Sequence, residues 1–217
     1  MVGIGQRSRT AAWVLGPVGL LLLAGAIALL MTHYRGVTVS GRAMEPTYSV
    51  GEQVYLRRIH PGEVRRGDVV LYQMPDRHQG AVVLRRVIGL GGDRVAARPG
   101  AQVTVNGKPL AEPYVKDGDP SAGSPPYDVV VPQGRLFLLG DNRALANDSR
   151  FSLSEQSGSV AAASVQARVL KDRTGLVVLA LAALLGLLLT VIALVWGFAT
   201  RGARQPRWRP PALPTSA

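Results

Sequence analysis

The 217-residue chain has no cysteine. That excludes a disulfide framework, a thiol nucleophile and any cysteine-ligated metal site. Histidine is scarce: His33, His60 and His78 stand apart, without the spacing of a metal-binding set. No metal and no cofactor are expected. Lysine is scarce too, with only Lys108, Lys116 and Lys171. Acidic residues are missing from both ends. Residues 1–34 hold Arg7 and Arg9 and no acid; residues 201–217 hold Arg201, Arg204, Arg207 and Arg209 and no acid. The net charge of +11 would by itself suit nucleic acid. Its distribution argues otherwise, because more than half of the surplus lies at the two ends, each beside a long uncharged run. No nucleic-acid partner is expected.

Those runs are long. Between Arg9 and Arg35 lie 25 residues without a charge, and between Arg173 and Arg201 lie 27. A helix needs about 20 apolar residues to cross the hydrocarbon core of a lipid bilayer. Transmembrane helices are therefore predicted over 11–34 and 174–200. Gly16-Pro17 permits a kink near the start of the first, and Trp13, Tyr34 and Trp196 fall near the ends, where amphipathic rings favour the interface. The alternatives are a removable signal peptide for the first run and a buried core helix for the second. Met31-Thr32-His33-Tyr34 offers no small-x-small cleavage site, and the second run closes on an arginine cluster. Arginine placement puts 1–10 and 201–217 in the cytoplasm and 35–173 outside it, in a two-pass arrangement in the cell membrane. The tail, rich in proline and arginine, is expected to be disordered, its arginines a topology signal rather than a lipid site.

The middle of the chain reads as β. Strand-like runs recur at 37–40, 54–57, 68–72, 81–88, 102–105, 129–131, 135–139 and 165–170, punctuated by Gly, Pro, Asn and Asp. Val105-Asn106-Gly107-Lys108 is the strongest hairpin signal. No stretch sustains a helical period. The expected fold is mainly β, a barrel or a pair of packed sheets, with a smaller β-subdomain over about 94–135. Residues 116–128, rich in Gly, Pro and Ser, read as a mobile surface loop within it.

Four blocks stand in order: Ser40-Gly-Arg-Ala-Met-Glu-Pro-Thr47, Arg66-Gly-Asp-Val-Val70, Arg85-Arg-Val-Ile-Gly-Leu-Gly-Gly-Asp93 and Gly140-Asp-Asn-Arg-Ala-Leu-Ala-Asn-Asp-Ser-Arg150. Together they resemble the bacterial type I signal peptidases, membrane-anchored serine endopeptidases that remove signal peptides. The likeness covers roughly 37–170, and Asn106 to Leu110 and Glu112-Pro-Tyr114 resemble the family's second-domain hairpin. The resemblance implies a β-rich catalytic domain on the outer face of the membrane and a Ser–Lys dyad. A serine hydroxyl needs an adjacent base, and a lysine serves only when neutral.

The chain departs from that pattern at the chemistry. Ala43 occupies the position of the nucleophilic serine, Arg85 that of the base lysine, and Ala146 that of the serine which helps hold the lysine. A methyl group cannot attack a carbonyl, and a guanidinium stays protonated at any ordinary pH. Met44 and Pro46 are expected to shape the turn at position 43. Asp141, Asn142, Arg143, Asp148, Ser149 and Arg150 keep the last block and read as a hydrogen-bonded scaffold. Arg85 is expected to find a carboxylate, such as Asp148 or Asp141, or to lie on the surface of its strand. Three functions are weighed. The favoured one is a signal-peptidase-like protein without activity that binds signal peptides of exported preproteins or another membrane protein. The others are an active peptidase with a relocated nucleophile and an engineered inactive copy. Ser40 is displaced from position 43 by about 10 Å of extended chain and faces the other way. His78, seven residues before Arg85, reads as a solvated loop residue.

Overall fold

The computed structural model describes residues 4–74, 82–122 and 124–202, with side chains between Trp13 and Ala199. His78, Ala81 and the tail beyond Gly202, with Arg204, Arg207 and Arg209, lie outside the described residues. The chain divides into two units, one of 1–31 with 173–217 and one of 32–172.

The first unit is a helix pair. Helix α1 spans Ile4–His33 and runs through Pro17; α2 spans Thr174–Gly202. Within them, Trp13–His33 and Thr174–Ala199 are long and apolar enough to cross a membrane. The helices meet through glycine. A side chain at Gly19 would reach within 2.8 Å of the Gly186 carbonyl and the Thr190 amide. One at Gly186 would reach within 2.7 Å of the Gly19 carbonyl and also strike the Leu23 backbone. One at Gly16 would touch Ala193 Cβ at 3.4 Å. Small residues let two backbones approach where lipid offers no hydrophobic drive to pair. Residue numbers rise on one helix as they fall on the other, so the pair is antiparallel.

The second unit is built from antiparallel strands: β1 (Tyr34–Thr38), β2 (Gln53–Arg58), β3 (Val69–Gln73), β4 (Val82–Leu90), β5 (Arg94–Ala97), β6 (Thr104–Val105), β7 (Lys108–Pro109), β8 (Tyr127–Val130), β9 (Arg135–Leu139), β10 (Val160–Ala161) and β11 (Val165–Val169). Seven form one sheet in the order β1-β2-β11-β3-β4-β9-β10, and four form a smaller one, β7-β6-β5-β8. Among the described residues β1 and β10 remain edges, so the large sheet does not close into a barrel. Strands β5, β7 and β10 coincide with no predicted run; two are only two residues long, too short for a period. The predicted run at 37–40 is shifted, because β1 starts at Tyr34 and ends at Thr38. Between His33 and Thr174 the described residues contain only 3-10 turns as helical structure. The hairpin at Asn106-Gly107 forms as predicted, both residues having positive φ, 53° and 76°.

Alternation along β4 sets the site. Leu84 faces a core with Met44, Val69 and Leu71. Val87 faces another with Val70, Tyr72 and Leu138. Side chains two apart share a face, so Arg86 goes with Leu84 and Arg85 with Val87. The sheets join where β4 bulges against β9, between Val87 and Gly89. A side chain at Gly89 would lie 2.6 Å from Val95 Cγ2 and 3.3 Å from Phe137 Cβ, so glycine lets the small sheet pack here. That junction is itself a core, with Ile88, Phe137 and Leu139 against Val95, Val105 and Val131.

Candidate active site at the dyad positions

Ala43 lies in a 3-10 turn, Arg42–Met44, that packs against β4. Met44 anchors the turn in the core and the cis Glu45–Pro46 peptide follows it. Strand β9 delivers Gly140 beneath it. A side chain there would collide with Ala146 Cβ and stand 2.7 Å from the Ala43 carbonyl. The Asn142 amide donates to that carbonyl at 3.0 Å, and the Ala146 amide to the Asn142 carbonyl at 2.9 Å. Positions 43 and 146, far apart in sequence, therefore flank Gly140.

Arg85 reaches the residue beside Ala146. Its Nε and Nη2 donate to the Asn147 carbonyl at 3.3 and 2.9 Å, and its Nη1 to the Leu84 carbonyl at 2.6 Å. Both expectations for this residue need correction: only 7% of it is exposed, and among the described residues it pairs with no carboxylate. Pleating explains why, because Arg86, on the opposite face, meets Asp141, with Nε 2.8 Å from Oδ1. Asp148 is occupied as well, by Arg150 Nε at 2.8 Å and by the Gly140 amide at 3.0 Å.

The remaining block residues form one buried network. Arg143 donates to the Gly140 and Pro120 carbonyls at 2.9 and 2.7 Å and pairs with Glu112. Arg150 donates to the Arg143 and Ser121 carbonyls at 2.7 and 3.2 Å. The Ser149 hydroxyl accepts from the Leu138 amide at 3.0 Å. Arg86 also stacks over Tyr114, its guanidinium carbon 3.8 Å from the ring centroid. Burial opposes the charge on Arg86, but its hydrogen bonds to Asp141 and that carboxylate's charge outweigh it and raise the pKa. Burial, then the charge and hydrogen bond of Glu112, push the Tyr114 phenol up.

Thr47, Glu112, Tyr114 and Gly140 stand in the quoted blocks, but sequence reasoning gave them no role. Thr47 donates to Asp141 and Tyr114 to Glu112. Residues 116–128, read as a mobile surface loop, are tied at several points: the Lys116 amide donates to the Asp141 carbonyl, Arg143 holds Pro120, Arg150 holds Ser121, and Tyr127 is buried.

Among the described residues no substitute catalytic pair is assembled. Ser40 is exposed, with no lysine, histidine or carboxylate partner among the described residues. Lys116 Nζ sits 2.7 Å from Glu45, which follows the 3-10 turn. Lys116 and then Arg42 hold the Glu45 carboxyl below its usual range, and a paired ammonium is no base. His60 caps the turn Pro61–Glu63, and His33 Nδ1 pairs with the Thr32 hydroxyl. Among the described residues no cluster of His, Asp and Glu could hold a metal. A cleft of about 420 Å3 borders Asn147 and Ser149, with Tyr72, Arg135 and Glu155 in its walls, but Ala43, Arg85 and Ala146 are not among its lining residues.

Comparison with known proteins finds relatives over most of this chain. A signal peptidase I of Bacillus amyloliquefaciens is 31% identical over 159 residues, 68% of this chain and 80% of that protein. Signal peptidase I V of Bacillus subtilis is 32% identical over 151 residues, 64% of this chain and 86% of that one. A crystal structure of a signal peptidase I from Enterococcus faecalis is 30% identical, covering 50% of this chain and 97% of that one with a TM-score of 0.40. The family model for signal peptidase, peptidase S26, matches residues 10–171, which takes in most of α1 and all eleven strands. By that match the chain belongs to the signal peptidase family, peptidase S26.

Proposed function

We propose that the chain is a signal-peptidase-like membrane protein that holds the signal peptides of exported preproteins without cutting them. One observation carries this reading. Ala43, Arg85 and Ala146 occupy neighbouring places in the fold, and none can attack a carbonyl or take a proton. The scaffold around them keeps its buried ion pairs, Arg86–Asp141, Arg143–Glu112 and Arg150–Asp148, which supports retention of a peptide site rather than decay of the domain. An active enzyme with a relocated nucleophile is disfavoured by Ser40, exposed and without a base among the described residues, and by Lys116, ion-paired with Glu45. An engineered knockout is disfavoured by three replacements where one would suffice.

In this reading both termini are cytoplasmic and residues 35–173 lie outside. The antiparallel helix pair and the arginine-rich ends support that arrangement.

The test is cleavage of a preprotein by the purified full chain in detergent. Wild type is expected to show none above background, and Ala43→Ser alone little, because Arg85 remains a cation. Ala43→Ser with Arg85→Lys restores nucleophile and base and is expected to recover cleavage, improved further by Ala146→Ser. Wild-type cleavage that vanishes on Ser40→Ala would overturn the proposal.

A further inference from the structure

The dyad positions hold hydrogen-bond donors in excess. A guanidinium has five N–H groups. In Arg85 three are used, one on each nitrogen, and all three end on backbone carbonyls. One N–H on each terminal nitrogen is left over, and among the described residues no carboxylate balances the charge. A second orphan lies on the adjoining turn: Asn142 Nδ2 is buried without an acceptor. The serines expected at 43 and 146 would each have supplied an acceptor oxygen; the methyl groups supply none. A buried cation with spare donors is costly unless an anion completes it. The site is not sealed, since Ala43 is half-buried and the Arg85 bonds to the Asn147 carbonyl are only partly buried.

We propose that Arg85 makes this a receptor for peptides ending in a free carboxylate, the chemistry of a signal peptide already cut, rather than for an intact cleavage junction. The inference rests on the peptide-holding reading above and names which peptide is held. A C-terminal carboxylate brings two acceptor oxygens and a full charge to the two spare N–H groups, a pairing that guanidinium geometry favours. An uncut junction brings one neutral carbonyl oxygen and a chain that must continue past the guanidinium. Replacing lysine by arginine thus exchanges a base for an anion anchor, and the small side chain at 43 leaves room where a hydroxyl would stand. Inorganic phosphate or acetate shares part of this chemistry but lacks the side chains that would seat a peptide.

The experiment compares three fluorescent peptides on the full-length chain in detergent. One ends in Ala-x-Ala with a free carboxylate, one is its C-terminal amide, and one continues through the junction. The free acid is expected to bind about tenfold or more tighter than the other two. Arg85→Gln is expected to erase that difference, and Arg85→Lys to keep part of it. Equal binding of acid, amide and spanning peptide would overturn the carboxylate assignment and leave the peptide site standing. Failure of all three to bind would remove the peptide-holding reading and this inference with it. The acid–amide comparison needs no variant, so it decides even if Arg85→Gln does not fold. Competition by acetate at the same concentration as the peptide acid would point to an anion hole without peptide recognition, and would also overturn the proposal.

Discussion

Arg85 and Arg86 are adjacent in the chain and opposite in fate. Arg86 faces Asp141 and pairs with it, whereas Arg85 reaches the turn after Gly140 and donates to the Asn147 carbonyl. Restoring the dyad should therefore be strongly non-additive, since nucleophile and base work as one unit. Cleavage regained by Ala43→Ser/Arg85→Lys should rise as pH becomes alkaline, because the lysine must lose its proton to act. A flat pH–rate profile would mean that some other group is the base. The scaffold makes a separate prediction. Glu112 and Arg143 are both nearly fully buried, and removing one partner of a buried pair costs about 3–5 kcal/mol. Glu112→Ala should fall at the lower end of that range, because Arg143 keeps its bonds to Gly140 and Pro120. Thermal unfolding followed by circular dichroism reads the loss, and a change under about 0.5 kcal/mol would show that the pair is dispensable.

The turn from β4 into β5 is held by one carboxylate. Asp93 accepts from the Leu90 amide at 2.7 Å, from Arg66 at 2.8 Å and from Asn106 at 2.8 Å, joining both sheets to the 66–70 block. Burial works against its charge, but the Leu90 amide, Arg66 and Asn106 prevail and lower its pKa. A carboxylate with a lowered folded pKa adds stability that is complete above its unfolded value and disappears as pH falls through the folded one. Acidification below the ordinary carboxylate range should thus destabilise wild type more than Asp93→Asn. Parallel acid-unfolding curves for the two would refute this. The helix pair offers a cleaner test, because the chain has no native cysteine. Gly16→Cys with Ala193→Cys would place the two Cβ atoms near disulfide distance. The crosslink should form on oxidation in bilayers and be lost when Gly186→Leu is added, since leucine would strike the Leu23 backbone.

Across the whole molecule, charge and apolar length act together. With both termini inside, protease added to intact spheroplasts should degrade residues 35–173 and spare a tag fused after Ala217. A protected middle domain would reverse the topology. Because the net surplus of positive charge is concentrated at the ends, deleting Arg201 to Arg209 should weaken the orientation of α2 more than it changes the β unit.

Both apolar helices, the β class and the hairpin at Asn106-Gly107 were legible in the chain, because each depends on local composition or a short period. Two-residue strands such as β10 were not, since they exist only through their neighbours' hydrogen bonds. Nor was the partner of Arg85. Sequence offered two carboxylates within the right block, but strand alternation, the Gly140 contact and the claims of Arg86 and Arg150 on those carboxylates are decided by packing. The sequence alone determined that the chain has no nucleophile at position 43. Only the tertiary structure decided that Arg85 would be buried against backbone carbonyls with no carboxylate partner among the described residues.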